Sequence, residues 1–272
     1  MLIATLLALV AAGLHAGWNL LAKRSPDPFL ALWGQFFVAG VIGSVGVAVA
    51  GMPARGWVFA AVTGIVHIPY VAGLAHAYTH GDFSLAYPIA RGGGALLAGI
   101  GGIVLLGDEL TALAVVAVVV VTAGITMLAA GAEARQVSVA ILVAVTIGVY
   151  TVNDSHAARE VGAAYPFAVF VGCGVFVTAY GVATGRSRSM VAALRARPGP
   201  FTLTATMAVV TYGLVLLAVR RAPVGYVAVL RESSVIIAAY LGARYLDERD
   251  TRRRAMASIV VVGGLVLLVL SA

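Results

Sequence analysis

Two arginines interrupt long apolar stretches of the sequence. Arg91 lies in Ala86-Tyr87-Pro88-Ile89-Ala90-Arg91-Gly92, with Asp108-Glu109 beginning 17 residues later. Arg231 lies in Leu230-Arg231-Glu232-Ser233-Ser234, with Asp247-Glu248 beginning 16 residues later. A charge at the centre of a bilayer costs at least ~2.5–3.5 kcal/mol on insertion scales, so each arginine needs a partner or a wet cavity. Arginine keeps its charge and presents a planar fork that fits a carboxylate or phosphate. The two therefore read as a clamp on an anionic substrate. They read equally as halves of internal salt bridges, with Glu232 and Asp154 available as partners. Glu232 directly follows Arg231, so the two side chains point about 100° apart on a helix and do not pair with each other. Glu232 could instead meet an ammonium group, carry a coupling proton, or pair with Arg91.

The other polar groups fall on helical faces. Tyr150 and Asp154 are spaced i, i+4, and Tyr150 and Asn153 are spaced i, i+3, so all three are near neighbours on one helix surface. His15 and Asn19 repeat the i, i+4 spacing near the N-terminus, with Trp18 beside them. His15, Trp18, Asn19, Tyr150 and Asn153, with Arg91, Arg231, Glu232, Tyr87 and His67, form the candidate substrate site, and Asp154 and Glu232 are the candidate proton-coupling groups. Asp154 has a second reading, as a residue at the wet end of its helix, and Trp18 has one as an interfacial anchor. His67 and His76 are nine residues apart, which is 2.5 turns, so they do not share a face for a metal. Cys173 is the sole cysteine, which leaves no disulfide or metal framework. No metal and no cofactor is expected. Arg91-Gly92-Gly93-Gly94 lacks the Gly-Lys-Ser/Thr of a nucleotide loop. Its small residues favour close helix packing in lipid instead. Asp108-Glu109 and Asp247-Glu248 read as caps on the helices that follow them.

The elements that must carry these groups follow from composition. Of 272 residues, 61% are apolar and 11% charged, and mean hydropathy is +1.02. A soluble domain has roughly 45–50% apolar and about 25% charged residues, so a water-soluble fold is excluded. Ten apolar segments can be marked, at about 2–22, 29–51, 57–79, 84–106, 111–130, 138–156, 164–184, 201–219, 223–246 and 255–271. Each suits a spanning helix of about 20 residues. The runs are continuous rather than alternating, which argues against a transmembrane barrel. Connections are short and polar, the longest being a loop at about 185–200. The recurrence of arginine and acidic pair, and of Gly17-Trp18-Asn19 as Val152-Asn153-Asp154, divides the chain into repeats at 1–132 and 133–272. Five helices is an odd number, so the second repeat enters the membrane inverted, as in many secondary transporters. The expected fold is all-α and integral to the membrane: ten transmembrane helices in two inverted five-helix repeats. Segments 1, 3, 4, 6, 8 and 9 are expected to line a central cavity. The net charge is +7. Twelve of the 18 Lys and Arg fall in the loops after segments 1, 3, 5, 7 and 9. This bias reads as cytoplasmic loops rather than nucleic-acid binding, and it places both termini outside. No cleavable signal peptide is expected, because the first helix lacks a basic leader.

The sequence resembles the paired EamA domains of the drug/metabolite transporter superfamily. The residues that carry the likeness are Leu14-His15-Ala16-Gly17-Trp18-Asn19, the Arg91 segment with Leu106-Gly107-Asp108-Glu109, and the Arg231 segment with Leu246-Asp247-Glu248. The resemblance implies a ten-helix carrier of small metabolites, often an exporter, and not an enzyme. Two features depart from the family pattern. The first helix has no mid-membrane Glu of the kind that proton-coupled multidrug relatives use, and the second half reads Leu-Asp-Glu where many members have Gly-Glu. Together the residues and the likeness predict a secondary active transporter of an amino acid or organic anion in the inner (plasma) membrane of a bacterium. Its expected partners are a small-molecule substrate, the lipid bilayer and protons, and a monomer suffices because one chain supplies both sides of the cavity. A flippase for a lipid-linked headgroup and a membrane-embedded enzyme are the alternative readings.

Overall fold

The structure is a computed structural model of the single chain. It describes the backbone except at residues 81–82, 129–133, 163, 235–236, 238–250 and 271–272. Side chains are described except at 81–88, 128–136, 163, 235–236, 238–255, 258, 265, 268 and 271–272.

The described residues fold into helices, with no strand among them. In chain order these are α1 (Leu2–Lys23), α2 (Pro28–Ala50), α3 (Ala54–His80), α4 (Phe83–Leu106), α5 (Ala112–Leu128), α6 (Ala134–Glu160), α7 (Tyr165–Ala183), α8 (Ser187–Ala196), α9 (Pro198–Val219), α10 (Val224–Arg231) and α11 (Thr251–Leu270). Helix is the outcome dictated by composition, because in lipid the backbone must satisfy its own hydrogen bonds. Seven of the described helices are long and apolar enough to cross a membrane. Nine of the apolar segments map onto described helices of similar extent. The ninth is followed only as far as Arg231 as a continuous helix, and its remainder, with Asp247 and Glu248, lies mostly outside the described residues.

One helix departs from the expected pattern. The loop expected at 185–200 contains α8. Met190 is buried and Leu194 packs against the core, whereas Arg188, Val191 and Arg195 are exposed. At about 1.5 Å per residue it is too short to span a bilayer. Met190 is buried and packs beneath Gly181 of α7.

Two helix pairs, α2 with α7 and α5 with α11, pack against each other reciprocally. Helices α2 and α7 cross where a Cβ on Gly40 would stand 3.0 Å from the Phe170 carbonyl oxygen, and one on Gly174 3.0 Å from the Phe36 carbonyl oxygen. The Phe36 and Phe170 rings stack beside this crossing with centroids 6.4 Å apart. The indole Nε1 of Trp33, early in α2, donates to Thr178 Oγ1, late in α7, at 3.0 Å. Gly46, late in α2, lies against Phe167, early in α7. The two helices are therefore antiparallel. Helices α5 and α11 behave the same way: Gly124 packs on Val260 and Val261, and Gly264 on Val120 and Val121. Helix α3 packs on α6 as α1 packs on α9, and α4 runs against both α6 and α10.

Arg159 and Asp108 join the ends of four helices. Arg159, at the end of α6, donates from Nε to the Val219 carbonyl at 3.0 Å and from Nη1 to Asp108 Oδ1 at 2.7 Å. Asp108 Oδ2 accepts the Val224 N–H at 2.6 Å, at the start of α10. This corrects the expectation that Asp108 caps its own following helix. Gly107, at φ 69°, turns the chain back, α5 begins only at Ala112, and Thr111 Oγ1 accepts the Ala114 N–H there instead. Asp108 thus caps a helix of the other half of the chain.

The α2–α7 crossing sets a first test. Gly174→Leu should lower the melting temperature in detergent by the equivalent of roughly 1–3 kcal/mol, the usual cost of overpacking. Gly13→Ala, where a Cβ meets nothing within 4 Å, should leave it unchanged or slightly raised. Equal melting temperatures for Gly174→Leu and the parent would contradict the close crossing.

Candidate functional site

A narrow cavity lies between the helices of the bundle. Its walls are His15 and Trp18 from α1, Gln35 and Phe36 from α2, His67 and Tyr70 from α3, and Tyr150 from α6. Val169, Phe170 and Cys173 from α7, Ala208, Thr211 and Tyr212 from α9, and Arg231 from α10 complete it. The volume is about 40 Å³, room for a few waters at roughly 10–15 Å³ each. The lining differs from expectation in two ways. Helices α2 and α7 contribute, because their close crossing at Gly40 and Gly174 brings Phe36 and Phe170 to the centre. Among the described residues of α4, none reaches the lining.

The two arginines have different surroundings. Arg91 Nη2 donates to Glu232 Oε1 at 2.7 Å, with both side chains buried. Of the readings open for Glu232, the structure adopts the pair with Arg91. Glu232 follows the end of α10, where its N–H bonds back to the Val229 carbonyl at 2.9 Å, a tighter i to i−3 turn than the α-helix uses. Arg231 is 3% exposed and faces the cavity. No described carboxylate forms an ion pair with it, and its Nε has no hydrogen-bond partner among the described residues. Arg91, Arg231 and Glu232 form a buried cluster with one positive charge in surplus.

Asp154 is 0% exposed. The reading of a wet helix end is therefore replaced by a buried one. Its Oδ1 accepts the Tyr165 hydroxyl at 2.6 Å, the Asn153 amide at 3.2 Å and the Thr63 hydroxyl. Its Oδ2 accepts the hydroxyl of Tyr212, which also lines the cavity. One carboxylate thereby ties α3, α6, α7 and α9. Asn153 is occupied in the same network, donating to the Phe59 carbonyl at 3.0 Å and to Thr63 Oγ1 at 2.9 Å, and it lies outside the cavity lining. Asn19 is also bound internally: its Nδ2 donates to the His15 carbonyl at 2.8 Å and its Oδ1 accepts the Tyr78 hydroxyl at 2.7 Å. Tyr78 of α3 thus reaches Asn19 of α1 as Tyr212 of α9 reaches Asp154 of α6.

The remaining candidates sort similarly. Trp18 is buried in the cavity wall, with its ring edge-on to His15 at 4.7 Å, so the interfacial-anchor reading is replaced. His67 Nδ1 donates to the Thr63 carbonyl at 2.8 Å, and its ring lies 4.7 Å from that of Tyr150. His76 stacks on His80 at 4.4 Å, away from the cavity. The side chain of Tyr87 lies outside the described residues. No group of three or more metal-ligating side chains occurs among the described residues.

Gln35, Thr211 and Tyr212 are among the lining residues that were not singled out in the sequence. Gln35 had a readable signal, an amide in an otherwise apolar helix, which marks function by default in a membrane. It is 1% exposed, and both its Nε2 and its Oε1 lack hydrogen-bond partners among the described residues, as does Thr211 Oγ1.

The Asp154 network sets a second test. Tyr212→Phe removes one of its donors. It should destabilise the protein by about 1.5–3 kcal/mol, the usual value of a hydrogen bond to a charged group, read as a fall in melting temperature. A melting temperature equal to the parent's would mean that the Tyr212 hydroxyl is not needed to hold Asp154.

Comparison with known proteins agrees with this architecture. A solved crystal structure superimposes with a TM-score of 0.70, covering 98% of this chain and 97% of its own, at 20% sequence identity. That likeness concerns the fold. A search of curated proteins gave no match. The EamA-like transporter family matches residues 135–270, half of the chain. With its apolar membrane-length helices and this match, the chain is a multi-pass membrane protein of the EamA-like transporter family.

Proposed function

We propose that the protein is a secondary active transporter that moves a small polar metabolite, an organic anion or an amino acid, by alternating access around the Arg231 cavity. The observation that carries this reading is the buried guanidinium of Arg231, which faces a cavity and pairs with no described carboxylate. Burying such a charge is costly, and a transported anion would neutralise it. The room for only a few waters fits a conformation closed around the site, which must widen to admit a metabolite.

The moving parts in this reading are two inverted repeats of five spanning helices, at 1–132 and 133–272, with α8 as an extra interfacial piece. The antiparallel crossings of α2 with α7 and of α5 with α11 support inversion, because each pair joins corresponding helices of the two halves. The Arg159–Asp108–Val224 connection then links the repeats at one face, and it would have to open when access alternates. The charge bias places the termini outside, and the family likeness favours export from a bacterial cell across its inner (plasma) membrane, with a single chain sufficient.

Asp154 is the better candidate for a coupling proton, since Glu232 is committed to Arg91 while Asp154 touches the cavity through Tyr212. The test is carrier-mediated flux of labelled organic anions and amino acids in proteoliposomes, with and without an imposed pH gradient. The gradient should accelerate flux several-fold. Asp154→Asn should abolish that acceleration while gradient-free exchange persists, and Glu232→Gln is the parallel variant. Unchanged gradient dependence in both variants would remove these carboxyls from coupling, and no flux of any member of the panel would remove the carrier reading.

A further inference from the structure

We infer that the cavity selects a monoanion with a planar, ring-bearing body and a second neutral polar group, and that it disfavours zwitterions and cations. This deepens the carrier reading and rests on it. Three observations carry it. First, the only charged side chain among the described lining residues is Arg231. A zwitterion would need a carboxylate for its ammonium group, but Glu232 is bonded to Arg91 and Asp154 is enclosed by its four donors behind Tyr212. An ammonium in the cavity would therefore be desolvated beside a guanidinium, with no counter-charge in the wall. One anionic group balances the one surplus charge of the Arg91–Glu232–Arg231 cluster, and a second would not be balanced.

Second, rings dominate the wall. His15, Trp18, Phe36, Tyr150, Phe170 and Tyr212 enclose the space, several of them already edge-on or stacked with one another. Aromatic faces and edges at 4.5–7 Å between centroids favour a further flat ring over a saturated chain of equal area. Third, Gln35 offers a donor and an acceptor, and Thr211 a hydroxyl, all buried and without described partners. Buried polar groups are ordinarily hydrogen-bonded, and an amide with both ends open suits a ligand hydroxyl, which can both donate and accept. Gln35 and Arg231 lie on α2 and α10, one in each half, so a ligand that meets both would bridge the repeats.

The probes share one phenol and differ in charge: 4-hydroxyphenylacetate (anion), 4-hydroxyphenylacetamide (neutral), tyrosine (zwitterion) and tyramine (cation). Binding to the purified full-length protein is measured by calorimetry and by thermal shift, since a ligand of the folded state raises the melting temperature. The anion should bind at least tenfold more tightly than the amide and the zwitterion, and tyramine should give no shift. Arg231→Lys should weaken the anion about tenfold or more, because lysine lacks the bidentate fork. Gln35→Leu, similar in size, should narrow the gap between 4-hydroxyphenylacetate and phenylacetate while the protein remains folded. Tyrosine or tyramine binding as tightly as the anion would overturn the inference, as would binding of none of the four. Uptake of labelled 4-hydroxyphenylacetate into proteoliposomes separates the two claims. Binding without uptake would remove the carrier reading and leave the selectivity intact, whereas uptake of other solutes without binding of the anion would do the reverse.

Discussion

A guanidinium that cannot reach water must be matched by something, and this bundle meets that constraint twice in different ways. Arg91 is matched within the chain by Glu232 at 2.7 Å. Arg231 is matched by no described carboxylate and is turned into a cavity. The first arrangement holds α4 against α10 and leaves the second as the charge that an external ligand can satisfy. Replacing both members of a buried ion pair by apolar groups is often neutral, whereas removing one member is costly. The value of the pair therefore lies in specificity: it commits Glu232 and so withholds it from Arg231.

The same logic extends to Asp154. Four donors from four residues converge on one buried carboxylate, and two of them, Thr63 and Tyr212, come from helices that pack on α6 from the two halves of the chain. Asn19 likewise accepts one tyrosine hydroxyl, from Tyr78, but carries no charge. Both residues tie neighbouring helices through a phenol, and only Asp154 is titratable. The glycine crossings set how closely these helices approach. With side chains at Gly40 or Gly174, Phe36 and Phe170 could not meet at the centre, and the cavity would lose two of its rings.

Much of the fold was legible from the sequence. In a bilayer the backbone must be helical, so nine of the continuous apolar runs map onto described helices to within a few residues at each end. Arg231, Trp18, Tyr150, His15 and His67 were found as cavity residues because polar and aromatic groups in apolar helices are costly and therefore conspicuous. The roles of partners were less legible. Asn19 and Asn153 share faces with cavity residues, yet each spends its hydrogen bonds on neighbouring helices, a choice that depends on tertiary distance. Asp108 looked like a local cap, but Gly107 turns it toward α10 and Arg159, 51 residues away in sequence. Helices α2 and α7 were passed over because their cavity residues, apart from Gln35, are apolar. The amphipathic α8 was hidden in a loop too short and too basic to register as a span.

The central claim is that the two buried arginines divide their work, Arg91 holding the bundle and Arg231 awaiting a ligand. The most direct measurement is thermal unfolding of Arg91→Met, Glu232→Met, the double variant and Arg231→Met in one detergent. Breaking the pair singly should cost about 3–5 kcal/mol, the double variant should recover most of that loss, and Arg231→Met should be as stable as the parent or more so. A double variant no better than the worse single one, or an Arg231→Met as unstable as Arg91→Met, would contradict the division of roles.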